Sequence, residues 1–167
     1  LTYFSKGVYE NGSVYNHAVM FKVVADCCIG RGVAAWETLK MIRFDNPLNP
    51  ESGVEPYAIC NMYFGPSAPA KKGFAPQGWI TGSAGWMYRA ITQYMLGIRA
   101  DFDGLIVRPC LPAEWKEVAA VRVFRGATYR IRYVRSGHFA LLADGLPLKG
   151  DKIPLFQDGV HEIVCYC

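Results

Sequence analysis

Between residues 83 and 109 the chain reads SAGWMYRAITQYMLGIRADFDGLIVRP, and the spacing of its apolar residues changes within that stretch. Over residues 83–96 the apolar positions recur every three or four residues, which predicts a helix that ends at Gly97. After Asp103-Gly104 the period becomes two, which is typical of strands. Helices before this point and strands after it predict an α+β fold.

Four helices are predicted in the first part of the chain. The first spans residues 14–29, with Ser13 as its cap and Gly30 or Gly32 at its end. The second spans residues 33–44, and Pro56 suits the first turn of a third over residues 56–64. The predicted apolar stripes are Val14, Ala18, Phe21, Ala25 and Cys28 in the first helix, Trp36, Leu39 and Ile42 or Arg43 in the second, and Ala84, Met87, Ala90, Ile91 and Tyr94 in the fourth.

Alternation of side chains predicts strands in the rest of the chain. Residues 104–109 form one, residues 121–133 form two that a turn at Gly126 joins, and residues 138–143 form another. Asp158-Gly159 is typical of a hairpin turn that leads into a closing strand over residues 160–166. We interpret the arginines as a solvated face, with Val121, Val123, Tyr129 and Tyr133 alternating against Arg122, Arg130 and Arg132.

The composition excludes several classes of protein. The 167 residues carry a formal charge of +4, and 51% of them are apolar, which excludes a disordered chain and does not favour nucleic-acid binding. No apolar run is long enough to cross a membrane. Six cysteines without a C-x-x-C pair argue against a metal site and favour reduced thiols in the cytoplasm. Because the sequence begins at Leu1 in a loop-like segment, we expect it to be part of a longer protein.

A first candidate site lies in residues 7–18, GVYENGSVYNHA. Glu10, Asn11 and Tyr15 are of types that bind sugar hydroxyls, and His17 could bind an anion or transfer a proton. The alternative is structural, since Asn11 is typical of a turn and His17 could be a hydrogen-bonded core residue.

A second candidate lies in residues 78–89, GWITGSAGWMYR. The hydroxyls of Thr81 and Ser83 and the backbone N–H groups of Gly82 and Ser83 stand at a predicted helix start, where a phosphate could bind. The alternative is an ordinary helix start with Thr81 as N-cap. The run lacks the Gly-Lys-Ser/Thr of a Walker A loop.

A third candidate is Glu55, in the motif VEPY of residues 54–57. Its carboxylate stands at a predicted helix entry beside an aromatic residue. It could bind a sugar hydroxyl, or it could stabilise the helix N-terminus through the helix dipole.

Several motifs together resemble one known family. The chain resembles the C-terminal part of the inverting glycoside phosphorylases of glycoside hydrolase family 94, with the motifs in the family's order over roughly residues 7–135. The motifs are ENG and YNHA within residues 10–18, VEPY at 54–57, WITGSAGW at 79–86, QYMLGI at 93–98, FDGL at 102–105, PCLPAEW at 109–115 and FRGATY at 124–129.

The resemblance implies a division of the chain. Residues 1–102 would be the last helices of an (α/α)6 catalytic barrel. Residues 103–167 would be a small β-sandwich unit of jelly-roll type. This division agrees with the change of period near residue 102.

The resemblance also implies a reaction, in which inorganic phosphate cleaves a β-linked glucoside with inversion to give α-glucose 1-phosphate and a shortened saccharide. Phosphate is the co-substrate, and no cofactor is expected. The family's general acid, an aspartate, and its phosphate-binding arginines lie upstream, so the segment by itself should be inactive. The implied phosphate-binding residues are His17, Thr81, Gly82 and Ser83, and the implied substrate-binding residues are Glu10, Asn11, Tyr15 and Glu55.

The expected partners are a β-linked oligosaccharide, phosphate and the remainder of the same enzyme, and a homodimer is compatible with the resemblance. Neither nucleic acid nor a membrane is expected. Two other functions stay open: a non-catalytic carbohydrate-binding or structural module, and part of a cyclic β-glucan synthase.

Overall fold

A computed structural model of the chain describes residues 3–79 and 81–167. The chain divides into two compact units, Leu1–Ala90 and Ile91–Cys167. Helices form most of the regular structure in the first unit, and strands form that of the second. This arrangement confirms the α+β class, while the predicted division at residue 102 stays a prediction. None of the helices in the described part of the chain is long and apolar enough to span a membrane.

The described residues of the first unit form three α-helices and one short pair of strands. Strands β1 and β2 pair antiparallel, with Val14 opposite Tyr63 and Tyr15 opposite Met62. The elements in chain order are β1 (Val14–Tyr15), α1 (Asn16–Cys28), α2 (Gly32–Ile42), β2 (Met62–Tyr63) and α3 (Ser83–Arg89), followed by a π-helical turn (Ala90–Met95).

Helix α1 packs against α2 through a different face from the predicted one. Met20, Val23 and Cys27 are buried, and they form the core of the unit with Leu39 of α2. The predicted stripe, from Val14 through Phe21 to Cys28, is exposed in this chain. Both faces of α1 are apolar, so the spacing alone could not show which of them contacts α2.

The two ends of α1 differ in how well the sequence predicts them. The N-cap residue is Tyr15, so the predicted cap at Ser13 is wrong; pairing of β1 with β2 delays the helix until Asn16. The C-terminal end is as predicted. Gly30 has a φ of +77°, its N–H donates to Cys27 O, and the N–H of Arg31 donates to Asp26 O, which is the Schellman arrangement.

The predicted third helix is wrong. Residues 56–64, all of which the structure describes, contain a turn and strand β2 but no helix. Their backbone groups pair with the loop that follows, because the N–H of Asn61 donates to Gln77 O and the N–H of Phe64 donates to Phe74 O. Pro56 therefore lies at the start of a turn, because these long-range bonds replace the i to i−4 hydrogen bonds of a helix.

The helix predicted over residues 83–96 is present but changes type along its length. The α-helical part ends at Arg89, and in the π-helical turn the N–H of Leu96 donates to the carbonyl of Ile91, five residues back, at 2.8 Å. Of the residues predicted to face inward, Ala90 is fully buried and Ala84 is exposed.

The second unit contains two sheets. A five-stranded sheet has the order β5-β6-β10-β7-β8, and a three-stranded sheet has the order β3-β4-β9. The strands are β3 (Ile98–Asp101), β4 (Gly104–Val107), β5 (Val118–Phe124), β6 (Ala127–Val134), β7 (Ala140–Ala143), β8 (Leu146–Leu148), β9 (Lys152–Pro154) and β10 (Val160–Tyr166). Tyr129, Ile131, Leu141, Ile163, Leu105 and Ile153 are among the side chains of their shared core.

The turn at Asp158-Gly159 is present, but it does not make the predicted hairpin. Strand β10 lies between β6 and β7, parallel to β6 and antiparallel to β7. The preceding strand, β9, pairs with β4 in the other sheet. The turn therefore carries the chain from one sheet to the other, which a local turn signal could not indicate.

The side chains of β5 alternate in the opposite sense to the prediction. The turn at Arg125-Gly126 pairs Phe124 with Ala127, and Arg122 consequently pairs with the core residue Tyr129. Val121 and Val123 are 69% and 68% exposed, respectively. The length of the turn sets this register, so Arg122 does not belong to the solvated face.

Candidate functional site

The imidazole of His17 lies against the backbone of Gly82. An ideal Cβ atom placed on Gly82 would stand 3.1 Å from His17 Cε1 and 3.3 Å from His17 Nδ1. His17 is the second residue of α1, and Gly82 is the N-cap residue of α3. Contact between α1 and α3 brings the two positions together. Because a side chain at position 82 would displace the ring, glycine permits this close approach.

Two hydroxyl side chains flank Gly82 and bind each other. Thr81 Oγ1 lies 2.7 Å from Ser83 Oγ, and the backbone N–H of Ser83 donates to Thr81 Oγ1 at 3.0 Å. Ser83 is fully buried, whereas Thr81 is partly accessible. The hydroxyl of Thr81 also donates to Asn61 Oδ1 at 3.4 Å. These contacts fix the orientation of the Thr81 side chain.

Asn61 reaches this position because its backbone is held on both sides. Its carbonyl accepts from the N–H of Asn16 at 2.9 Å, and its own N–H donates to Gln77 O at 2.9 Å. Its side-chain Nδ2 donates to Gln77 Oε1 at 3.4 Å. The segment thus lies between the start of α1 and the loop that precedes α3. We call His17, Asn61, Thr81, Gly82 and Ser83 the His17–Thr81 cluster.

Aromatic rings border the cluster on the side of α1 and α3. The ring of His17 lies 5.1 Å from that of Phe21 and 6.0 Å from that of Trp86, measured between centroids. Phe21 and Trp86 meet edge to face at 4.8 Å. The guanidinium of Arg89 lies 4.8 Å from the Trp86 ring. The imidazole is therefore confined by rings on one side and by the Gly82 backbone on another.

Glu55 is joined to Trp79 instead of to a helix N-terminus. The indole N–H of Trp79 donates to Glu55 Oε1 at 2.9 Å, and this bond lowers the pKa of the Glu55 carboxyl. Tyr57 lies beside Trp79, with ring centroids 6.0 Å apart. Tyr57 and Trp79 are both about two-thirds exposed, at 69% and 68%. A carboxylate beside accessible aromatic rings is a combination that can bind a sugar ring and its hydroxyls.

The remaining sequence candidates lie within residues 10–15, before α1. Glu10 is exposed in a turn, and the amide of Asn11 donates to Phe4 O at 2.8 Å, within the same loop. Tyr15 is 46% exposed, and its ring centroid lies 6.0 Å from that of His17. The structure therefore brings Tyr15 to the edge of the cluster, whereas the side-chain hydrogen bond of Asn11 is local.

The four residues predicted to bind phosphate are adjacent in space. His17 comes from one segment and Thr81, Gly82 and Ser83 from another, separated by more than sixty positions in sequence. Hydroxyls, an imidazole and backbone N–H groups can all donate hydrogen bonds to an oxyanion. Among the described residues, no three or more His, Cys, Asp or Glu side chains are grouped so that they could hold a metal ion.

The sequence did not indicate Asn61 as a member of the cluster, its partner Gln77, or the position of the Trp86 ring. Asn61 and Gln77 fall in segments read as a helix and as a loop, and the long-range pairing between them left no local signal. Trp86 ends the motif WITGSAGW, but nothing in that motif indicates that its ring lies beside His17. A strand assignment for residues 62–63 would have placed Asn61 near the start of α1.

Comparison with known proteins identifies the family. The family model of the glycosyl hydrolase 94 superfamily catalytic domain matches residues 1–97. The chain belongs to this superfamily. The match includes the His17–Thr81 cluster and Glu55, and it ends within the first residues of the second unit.

Several curated relatives extend the comparison over the second unit. A solabiose phosphorylase of Paenibacillus borealis is 45% identical over 171 residues, covering 98% of this chain and 22% of the relative. An N,N′-diacetylchitobiose phosphorylase of Vibrio proteolyticus is 33% identical, covering 95% of this chain and 21% of the relative. A cyclic β-(1,2)-glucan synthase of Rhizobium meliloti is 39% identical, covering 77% of this chain and 5% of the relative. The chain spans about a fifth of the length of the two phosphorylases.

Proposed function

We propose that the chain is a segment of a glycoside phosphorylase, which cleaves a β-linked glucoside with inorganic phosphate to give α-glucose 1-phosphate and a shortened saccharide. The observation that carries this proposal is the His17–Thr81 cluster. The chain that holds the cluster belongs to a family that includes relatives named phosphorylases. Phosphate is already an anion, so the site needs positioned donors more than a general base.

The proposed phosphate-binding residues are His17, Thr81, Gly82 and Ser83. Their support is that the imidazole lies against the Gly82 backbone, while the hydroxyl and the N–H of Ser83 hold Thr81 Oγ1 in the residue next to it. These contacts hold the side chains in place before the ligand arrives, and the Thr81 hydroxyl would exchange its 3.4 Å bond to Asn61 for one to phosphate. Preorganised donors stabilise the charge that develops in the transition state.

The proposed saccharide-binding residues are Glu10, Asn11, Tyr15 and Glu55. Glu55 has the strongest support, because the Trp79 indole holds its carboxylate beside two accessible aromatic rings. Tyr15 is supported by its place next to His17. Glu10 and Asn11 rest on the sequence motif that they share with the family.

The architecture that the resemblance implies belongs to the same proposal. The helices of the first unit would be the last of an (α/α)6 barrel, and the strands of the second would be a jelly-roll-like β-unit. The general-acid aspartate and the arginines that bind phosphate would come from the remainder of the protein. We further propose that the enzyme acts in the cytoplasm without a cofactor, and that it can assemble as a homodimer.

The test uses the full-length protein that carries these residues. It should release a sugar 1-phosphate from a β-linked disaccharide only when phosphate is present. Thr81→Ala should lower kcat/KM for phosphate by roughly 10- to 1000-fold, as expected for the loss of one preorganised donor, while Thr81→Ser keeps the hydroxyl and serves as the matched control. Cleavage that does not depend on phosphate would refute the proposal, and an unchanged phosphate dependence in Thr81→Ala would remove Thr81 from the site.

The similarity to a cyclic β-(1,2)-glucan synthase supports a second candidate function, in which this segment belongs to a much larger chain. Size separates the two candidates. A full-length protein of about the length of the phosphorylases favours phosphorolysis, and production of a cyclic β-(1,2)-glucan by the full-length protein would favour the synthase.

A further inference from the structure

Asn16, the first residue of α1, is a completely buried polar side chain for which the proposed function has no role. Its neighbour His17 points to Gly82, and Asn16 itself points into the interior of the first unit. Buried amides are retained only where their hydrogen bonds serve the structure around them. The bonds of Asn16 show which part of the structure that is.

Three contacts join Asn16 to the segment of Cys60 and Asn61. Its backbone N–H donates to Asn61 O at 2.9 Å, and its side-chain Nδ2 donates to Cys60 O at 3.1 Å. The same nitrogen lies 3.1 Å from Cys60 Sγ. One residue thus fastens the first turn of α1 to two consecutive residues of a segment far away in sequence.

Both segments held by Asn16 carry members of the His17–Thr81 cluster. His17 follows Asn16 directly, so its ring position over Gly82 depends on where the first turn of α1 begins. Asn61 accepts the hydroxyl hydrogen of Thr81, so the Thr81 orientation depends on where residues 60–61 lie. Asn16 therefore determines how His17 and Thr81 are positioned relative to each other.

The other end of the amide supports a role beyond packing. Asn16 Oδ1 is buried and has no hydrogen-bond partner among the described residues. A buried acceptor without a donor opposes folding, whereas the donor end holds the carbonyl of Cys60, which an apolar residue at position 16 would leave without this partner. The contribution of the Asn16 side chain therefore comes from its Nδ2, which contacts Cys60.

We propose that Asn16 is a positioning residue for phosphate: it fixes the distance between the imidazole of His17 and the hydroxyl of Thr81. This inference rests on the proposed phosphorolysis. On the saccharide side, Glu55 is held by a separate bond from Trp79, and Tyr15 is held by the pairing of β1 with β2, opposite Met62, so Asn16 acts mainly on phosphate.

The experiment uses the full-length enzyme and measures kcat, KM for phosphate and KM for the disaccharide, together with the melting temperature. Asn16→Ala removes the donor to Cys60, and Asn16→Ser keeps a shorter donor. We expect Asn16→Ala to raise KM for phosphate by about 10-fold, Asn16→Ser to raise it less, and KM for the disaccharide to stay within about 2-fold.

Thr38→Val is the matched control for a loss of stability. Thr38 is also a buried polar residue that links α1 to α2, since its hydroxyl accepts from Lys22 Nζ at 2.6 Å and donates to Ala34 O at 2.9 Å. It lies outside the His17–Thr81 cluster. Thr38→Val should lower the melting temperature without changing KM for phosphate.

Each outcome decides a different point. A wild-type enzyme that needs no phosphate would overturn the proposed function itself. A phosphate-dependent wild type whose Asn16 variants change both KM values equally, or change only the melting temperature as Thr38→Val does, would overturn the positioning role alone. If Asn16→Ala does not fold, an Asn16→Ser variant with unchanged KM for phosphate would still overturn it.

Discussion

The ring of His17 occupies the space that a side chain at Gly82 would fill, since an ideal Cβ on Gly82 would stand only 3.1 Å from His17 Cε1. The backbone of Gly82 has an ordinary negative φ of −78°, so the glycine is not needed for its conformational freedom. Close approach is the reason for glycine at this position, and it ties the start of α3 to the second residue of α1.

Gly82→Ala should therefore displace the imidazole by a few tenths of an ångström while leaving α3 intact. We expect kcat/KM for phosphate to fall by roughly 3- to 10-fold in the full-length enzyme, since small misplacements of positioned groups lower rates steeply. Steady-state kinetics at varied phosphate measures the change.

Gly85→Ala is the control for this substitution. A Cβ at Gly85, in the same helix, would meet open space. Alanine there should stabilise α3 by about 0.5–1 kcal/mol without altering phosphate kinetics. If both variants change KM for phosphate alike, then contact between Gly82 and His17 is not the cause.

The hydrogen bond from Trp79 predicts how saccharide binding depends on pH. The indole N–H holds the pKa of the Glu55 carboxyl below its ordinary value, so Glu55 stays ionised to lower pH. Trp79→Phe removes that donor and should return the pKa toward its ordinary range. If the ionised carboxylate binds a sugar hydroxyl, kcat/KM for the disaccharide should then begin to fall at a higher pH in Trp79→Phe than in the wild type.

Tyr57→Phe serves as the control for that pH profile. Tyr57 packs near Trp79, but its hydroxyl is not the donor to Glu55. In the Tyr57→Phe variant, kcat/KM for the disaccharide should therefore fall at the same acidic pH as in the wild type. A Trp79→Phe profile that coincides with both would exclude Glu55 from saccharide binding.

The sequence predicted the parts of the site that depend on local chemistry. Thr81, Gly82 and Ser83 stand together because they are neighbours in the chain, and a run of small and hydroxyl residues before a helix is a local signal. Gly30 ends α1 for a similar reason, because a left-handed residue after a helix favours glycine.

What the sequence could not show depends on pairing between distant segments. Asn61 enters the site only because residues 60–64 pair with β1 and with the loop before α3. The predictions for α1 and β5 are wrong for the same reason. In each element the sequence pattern is compatible with burial of either of two faces. Packing against α2 and the turn at Gly126 select between them.

The conformation of Gly30 predicts a local loss of stability. Its φ of +77° is in the left-handed region, and a Cβ there would meet open space, so the strain of the backbone is the only penalty for a side chain. Gly30→Ala should destabilise the C-terminal end of α1 by about 1 kcal/mol, and Gly30→Asn should have a smaller effect. Hydrogen exchange of peptides from residues 16–28 measures both. Equal exchange in Gly30→Ala and wild type would contradict the Schellman ending.

In the second unit, His161 connects the turn at Asp144 to the loop of residues 156–158. Its Nδ1 lies 2.8 Å from Asp144 Oδ2, its Nε2 lies 2.9 Å from Asp158 O, and its ring stacks on Phe156 with centroids 3.6 Å apart. Both partners of the ring nitrogens are acceptors, so both nitrogens must carry protons to make both bonds. The bond to Asp144 is the main reason that the pKa of His161 is raised, and it lowers the pKa of Asp144.

The raised pKa of His161 and the lowered pKa of Asp144 set the pH range over which this pair stabilises the fold. A histidine whose pKa is raised by folding stabilises the native state fully below its unfolded pKa of about 6.5, and that contribution is lost as the pH rises through the folded value. An aspartate with a lowered pKa contributes above about pH 4 and loses its contribution as the pH falls through its folded value. The His161–Asp144 pair should therefore stabilise the fold most between the two unfolded pKa values, near pH 5–6.

Comparing His161→Gln with the wild type at pH 6 and pH 9 tests this window. Glutamine retains hydrogen-bonding groups but carries no charge, so the wild type should be better protected at pH 6 and the difference should shrink at pH 9. Hydrogen exchange in peptides that contain the turn at Asp144 and the start of β10 localises the effect, and taking the difference at each pH cancels the intrinsic pH dependence of exchange. His138→Gln, on a different turn, should leave those peptides unchanged. A protection difference of equal size at the two pH values would show that the ring stabilises the turn by stacking on Phe156 and not through its charge.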